Sequence, residues 1–228
     1  MNPIHFTPKW QAIFSGGHIG LLALGPVDNT PHPTLLDSYK AELETRLRAQ
    51  FSQLTRADLQ QRPLLHTYKQ YYRRFKKTYH VQLQLESVVF KGKSLPRVNP
   101  LVDACFAAEL ETRLLTASHD LDTLIWPVTI DAAAGTELLT RFNGRPKQIK
   151  ANDMMMTDAK SVVCTIIYGQ DQRTAVTAVT RNVLYVTYAP PGIPRDAVAH
   201  HQSVLLRNVQ RVAPDVDVKA NQIVTAVT

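Results

Sequence analysis

Cysteine is scarce in this chain: 2 residues in 228, Cys105 and Cys164. Two isolated thiols build no disulfide framework and give none of the paired spacings that hold a metal. Each sits among apolar neighbours and reads as a reduced core residue. No apolar run approaches the roughly 20 residues needed to cross a bilayer. The opening stretch MNPIHFTPKW has no basic segment leading into an apolar one, so no secretory signal is expected. Internal repeats and low-complexity segments are missing too. Gly16-Gly17 is not followed by a helix start or Lys-Ser/Thr at P-loop spacing, and reads as a turn. His200-His201 are adjacent, so on a helix they diverge and cannot form the i, i+4 metal pair; both are expected at the surface. These absences lead to an expectation of a cytoplasmic protein with no membrane segment, no metal and no cofactor.

What is present is ordinary in hydropathy and unusual in charge. Hydrophobic residues make up 44% and charged ones 20%, which suits one substantial globular core spanning residues 1–228 as a single domain. The formal net charge is +7. A basic balance favours anionic partners, nucleic acid ahead of a membrane surface.

The pattern of elements changes along the chain. Ile19–Leu24 is a continuous apolar run, as in a strand buried on both faces. Leu36, Tyr39, Leu43, Leu47, Phe51 and Leu54 step by three and four, marking a helix from about Thr34, with Asp37 three residues on. A second helix begins at Pro63, and a third runs from about Leu83 to Phe90 and stops at Gly92. Later segments read as strands: Ile125–Ile130, a hairpin at Leu138–Phe142 with Asn143-Gly144, Met154–Met156 as core, Ser161–Tyr168 and Asn182–Tyr188. A closing helix follows Pro194. Helices early and strands late predict an α+β fold rather than alternating βαβ units.

Two regions carry the functional reading. The end of the second helix and the segment after it interleave Tyr68, Tyr71, Tyr72 and Tyr79 with Lys69, Arg73, Arg74, Lys76, Lys77 and His80. Aromatic faces beside cations are what single-stranded RNA binding uses, although a solvated helix end complementing the helix dipole gives the same cations. The stretch Lys91–Asp122 then opens on Lys93 and Arg97, starts a helix at Asn99-Pro100, and runs into Ser118-His119-Asp120. Its polar groups recur around a core-like element, as in a pocket wall. The expected pocket lies between the Asn99–Leu110 helix and the Tyr168–Thr180 connection. Asp103 and His119 are the candidate catalytic residues, with Asn99, Asp120 and Thr180 lining it. Tyr72, Arg73, Arg74, Lys76, Lys77, Lys93 and Arg97 are the candidate RNA contacts.

The succession YYRRFKKTY, ESVVFKGKSLPRVNPLVDACF, SHDLDTL, FNGRPKQI and QRTAVTAVTRNVLYV resembles the B3/B4 domain of the phenylalanyl-tRNA synthetase β subunit, and most closely the free-standing bacterial proteins made of that domain alone. The resemblance covers about residues 15 to 210. It implies a β-sandwich-type core of unusual topology flanked by helices, and hydrolysis of mischarged aminoacyl-tRNA, an ester at the tRNA 3′ end. Asn99 and Asp103 match the family pattern, as does Thr180. The chain departs where the family carries an asparagine (here Phe106, after Cys105), the editing histidine (here Ala117, with His119 two residues on) and the glutamate that reads a tyrosine hydroxyl (here Val186). A site without that carboxylate has no polar readout for a phenol, so tyrosine-specific editing is not expected.

Three functions stay open at this point: a tRNA-binding protein that hydrolyses mischarged aminoacyl-tRNA in trans, a non-catalytic RNA-binding module, and a binder of small amino-acid-like molecules. Nothing in the sequence fixes the oligomeric state.

Overall fold

Most helices lie in the first half of the chain and most strands in the second. The computed structural model describes residues 3–30 and 34–227. In chain order the elements are β1 (Ile4–Phe6), α1 (Pro8–Ile13), β2 (His18–Leu24), α2 (Leu35–Phe51), α3 (Arg56–Gln61), α4 (Pro63–Arg73), α5 (His80–Lys91) and α6 (Pro100–Thr112). Then come β3 (Leu115–Asp120), β4 (Val128–Ala132), β5 (Leu138–Thr140), β6 (Pro146–Gln148), β7 (Met154–Thr157), β8 (Val162–Thr165), β9 (Gly169–Gln170), β10 (Val183–Ala189), α7 (Arg195–Gln210) and β11 (Val218–Thr225).

The strands form a four-stranded sheet in the order β11-β2-β10-β3, a five-stranded sheet in the order β1-β4-β7-β8-β9, and the hairpin β5-β6. β10 pairs antiparallel with both β2 and β3. One face of the four-stranded sheet (Ile19, Leu21, Leu115, Ala117, Leu184, Val186, Tyr188) shares a core with Ile130, Met154, Met156, Val163 and Cys164 of the five-stranded sheet. Its other face (Leu22, Leu24, Val183, Tyr185) packs on Leu101, Ala104 and Cys105 of α6 and on Val204, Leu205 and Val209 of α7. That double burial is why β2 and β10 read as unbroken apolar runs. The fold is α+β, with sheets layered through one core and helices flanking them.

Local chemistry sets the boundaries that matter for the site. The Asp37 carboxylate accepts the Thr34 N–H at 3.0 Å and starts α2. Asn99 Oδ1 accepts the Val102 N–H at 3.0 Å, and Pro100 takes the first position of α6. Gly92, at φ 65°, closes α5 in the left-handed conformation that glycine adopts without penalty. Two expectations shift. β4 starts at Val128, not Ile125, because Ile125 is held against a loop: its N–H donates to Asp158 at 3.0 Å and its carbonyl accepts from Ala159 at 2.8 Å. The Ser118-His119-Asp120 run, expected only to follow the helix, is the end of β3.

Candidate functional site

α6 turns one stripe of side chains toward the sheets. Val102, Cys105, Phe106 and Glu109 stand at i, i+3, i+4 and i+7, a single helical face. Together with β3 (Leu115–Ser118) and the β8–β9 corner (Cys164–Ile166, Gly169, Gln170) they line a cavity of about 230 Å³, joined by His80 and Tyr188. The walls are mainly apolar. The lining residues that carry polar groups are His80, Glu109, Thr116, Ser118, Thr165, Gln170 and Tyr188, the last with a buried hydroxyl that has no hydrogen-bond partner among the described residues.

Burial sets the protonation of these groups. Glu109 is buried, which pushes its carboxyl up to about 8 even though its Oε1 accepts the Thr116 N–H at 2.8 Å. At neutral pH it is therefore a carboxylic acid and can donate a proton into a hydrogen bond. Cys164 is pushed up to about 12 and Cys105 well above the ordinary thiol range, again by burial. Neither is a thiolate, so neither is a nucleophile at rest.

The cavity lies against the Asn99–Leu110 helix and meets the Tyr168–Thr180 connection only at Gly169 and Gln170. None of the five residues named for it lines it. Asp103 stands one position from Val102 and faces away. It is buried with Lys40, whose Nζ lies 2.5 Å from its Oδ2, and its Oδ1 accepts the Val98 N–H at 2.9 Å. Both oxygens are occupied by structural partners, which corrects the catalytic assignment. Asn99 is the N-cap of α6 and does not line the cavity.

His119 shares a face of β3 with Ala117 but is sealed under the 171–175 segment. Its backbone bridges Ala175, and its Nδ1 lies 2.7 Å from Thr174 Oγ1. Burial and the neighbouring Arg173 cation push the imidazole down to about 3. It is a neutral, fully buried histidine that does not line the cavity. Asp120 and Thr180 do come together: the Thr180 hydroxyl donates to Asp120 Oδ2 at 2.6 Å, while Asp120 Oδ1 accepts the Asp122 N–H at 3.0 Å. They fasten the 171–182 connection to the end of β3 and do not line the cavity.

The aromatic half of the candidate RNA surface is also corrected. Tyr72 is 2% exposed and donates to the Ile166 carbonyl at 2.8 Å, so it cannot stack on a base. Tyr68, Tyr71 and Tyr79 are buried as well, bonded to Tyr188 O, Asp153 and Arg113 O. The cations are outside: Arg73, Arg74, Lys76, Lys77, Lys93 and Arg97 are all exposed. Arg74 lies over the Tyr71 and Phe75 rings at 5.3 and 5.6 Å, and Arg97 meets Asp37 at 3.3 Å. Of the adjacent histidines, His200 is exposed as expected. His201 is fully buried, its two ring nitrogens each 2.6 Å from a threonine hydroxyl, those of Thr112 and Thr116.

A second cleft follows α5. Its lining residues His80, Leu83, Gln84, Ser87 and Val88 form a stripe along that helix, and Lys93, Ser94, Leu95 and Pro96 close its far end, around about 350 Å³. His80 lines both cavities. Sequence reasoning missed Glu109 as a site group and placed His80 in a basic patch. One signal was available for Glu109: an acid recurring on the apolar stripe of α6, four residues after Cys105.

A family model described as the B3/4 domain matches residues 66–215, which includes α5, α6, β3 and the β8–β9 corner. No curated protein matches the chain. Among solved structures, an N-terminal fragment of the phenylalanyl-tRNA synthetase β-subunit from Pyrococcus horikoshii is similar, with 12% identity and a TM-score of 0.46 over 96% of this chain. The chain spans 49% of that fragment's length. Among the described residues no helix is long and apolar enough to cross a membrane, and no cluster of metal-binding side chains occurs.

Proposed function

The chain belongs to the B3/4 domain family, and from that premise we propose that it is a tRNA-binding protein of the cytoplasm that seats the aminoacylated 3′ end of a tRNA in the α6–β3–β8 cavity and hydrolyses the ester there in trans. On this reading residues 1–228 act as one unit. The observation that carries it is the lining of the cavity: Phe106 and Ala117, the positions where the family resemblance places polar editing residues, both face it. Here those positions are apolar, and Val186 is core. The loss of polar groups at these positions favours an apolar amino-acid side chain over a phenol. Glu109, protonated at neutral pH, can donate to the oxygen on which charge develops during ester cleavage. The exposed cations at the end of α4 and at Lys93 supply phosphate contacts.

The same apolar positions favour a second reading, a module that binds the tRNA end without cleaving it. A panel of aminoacyl-tRNAs, each incubated with the purified chain and followed for release of free amino acid, decides between them. Faster release from at least one apolar aminoacyl-tRNA than in buffer supports hydrolysis. Salt-dependent binding with no release supports the module. Binding of a free amino acid with no tRNA affinity defeats both.

A further inference from the structure

We propose that His80 is the catalytic imidazole of this cavity, with its Nε2 taking the proton from the attacking water. This deepens the hydrolase reading above and rests on it. β3 offers a methyl group at Ala117, which moves no proton, and His119 is sealed behind it. Among the described residues His80 is the one histidine that lines the cavity, and it reaches it from α5, an element remote in sequence from β3.

Three observations equip it for the role. The first is its tautomer. Tyr72 lies 2.8 Å from the Ile166 carbonyl and 3.0 Å from His80 Nδ1. A carbonyl can only accept, so the single Tyr72 proton goes to it. The phenol oxygen then accepts from Nδ1–H, which leaves Nε2 with a bare lone pair. Nε2 has no protein partner among the described residues. The second is rigidity: the Tyr72 and Tyr79 rings meet the imidazole edge-on, with centroids 6.1 and 5.8 Å away. The third is position. His80 lines both the cavity and the cleft along α5, which runs to Lys93. A nucleic-acid end lying in that cleft with its amino-acid group in the cavity places the ester linkage beside His80. Burial also holds the imidazole down at about 4, so it is unprotonated at neutral pH.

The step balances with water as the only co-reactant. Nε2 removes a proton as the water oxygen bonds to the ester carbonyl carbon, giving a tetrahedral intermediate and an imidazolium. Collapse breaks the bond from that carbon to the ribose oxygen, which takes the proton from Nε2. The products are the free amino acid and a terminal ribose hydroxyl, and the imidazole is returned neutral.

The test uses the full chain and an aminoacyl-tRNA that the unmutated protein hydrolyses, under single-turnover conditions. His80→Ala is expected to slow release about 10²–10⁴-fold, with melting temperature and tRNA affinity unchanged and partial recovery on adding free imidazole. His80→Gln, which keeps more of the side-chain volume, serves if the alanine variant is unfolded. A rate equal to the unmutated protein's, or a loss that imidazole restores in neither variant, overturns the assignment and leaves the hydrolase reading intact. No release from any aminoacyl-tRNA by the unmutated protein overturns both.

Discussion

Lys40 Nζ lies 2.5 Å from Asp103 Oδ2, with both side chains almost wholly buried between α2 and α6. The ammonium's other acceptor is the Pro96 carbonyl at 2.7 Å. Removing the carboxylate strands a buried cation, which typically costs about 3–5 kcal/mol, whereas replacing both charges with apolar groups of similar volume is often neutral. Asp103→Ala is therefore expected to lose about that much stability in urea denaturation, and Lys40→Met/Asp103→Leu to recover most of it. A folded Asp103→Ala protein of unchanged stability would show that the pair is not a structural link.

Glu109 makes stability fall as pH rises. Its folded-state value of about 8 lies above the usual 4.5. Between those values the unfolded chain has released a proton that the folded protein still holds, so folding is favoured below about 4.5 and loses ground until about 8. The slope of one such group is about 1.4 kcal/mol per pH unit. Glu109→Gln, which cannot ionise, is expected to flatten the decline across that window. Parallel stability curves for the two proteins would mean that Glu109 is ionised in the fold.

His201 acts with the opposite sign. Burial holds its imidazole near 3 against an ordinary 6.5. As pH falls below 6.5 the unfolded chain takes up a proton that the folded protein refuses, so stability drops down to about 3. His119 adds to this over the same range. His201→Gln is expected to lower stability at neutral pH, by breaking its bonds to Thr112 and Thr116, while making the acid branch shallower by about one proton. An unchanged acid slope, from denaturation at several pH values, would show that His201 is charged in the fold.

Periodicity made most of the fold legible. The stripes of α2, α4 and α7 and the unbroken runs of β2 and β10 are burial patterns, and burial is what sequence records directly. The short elements β1, α1 and β11 were not legible, because three to eight half-buried residues held by pairing partners elsewhere in the chain carry little pattern of their own. A pocket wall was legible on α6, but none of the residues named for the pocket lines the cavity. α6 was recognised as a pocket wall, yet Asp103 belongs to the face next to the one that lines it. His119 and Ala117 share a face of β3, and only the covering 171–175 segment, more than fifty residues later, separates a sealed histidine from an open position. The tyrosines of α4 carried two signals at once, a helical stripe and an aromatic–basic cluster. The stripe prevailed, since a ring on the core face of a helix is not available to a base.

The cations left outside by that outcome carry the last prediction. Arg73, Arg74, Lys76 and Lys77 are exposed where α4 ends and the chain turns into α5. None of them pairs with a carboxylate among the described residues, so their charge is free for phosphates. With the tyrosines buried, affinity here rests on charge and not on stacking, and each phosphate contact contributes about 0.9 to the slope of log affinity against log salt on a duplex. Arg73→Glu with Lys77→Glu leaves the Arg74 contact with Tyr71 and Phe75 untouched. The double variant is expected to melt at the unmutated temperature, to bind tRNA more weakly at low salt, and to show a slope shallower by about two. Equal affinity and slope in the folded variant would make these residues a solvated helix end, and would move the search for the phosphate contacts to Lys93 and the cleft along α5.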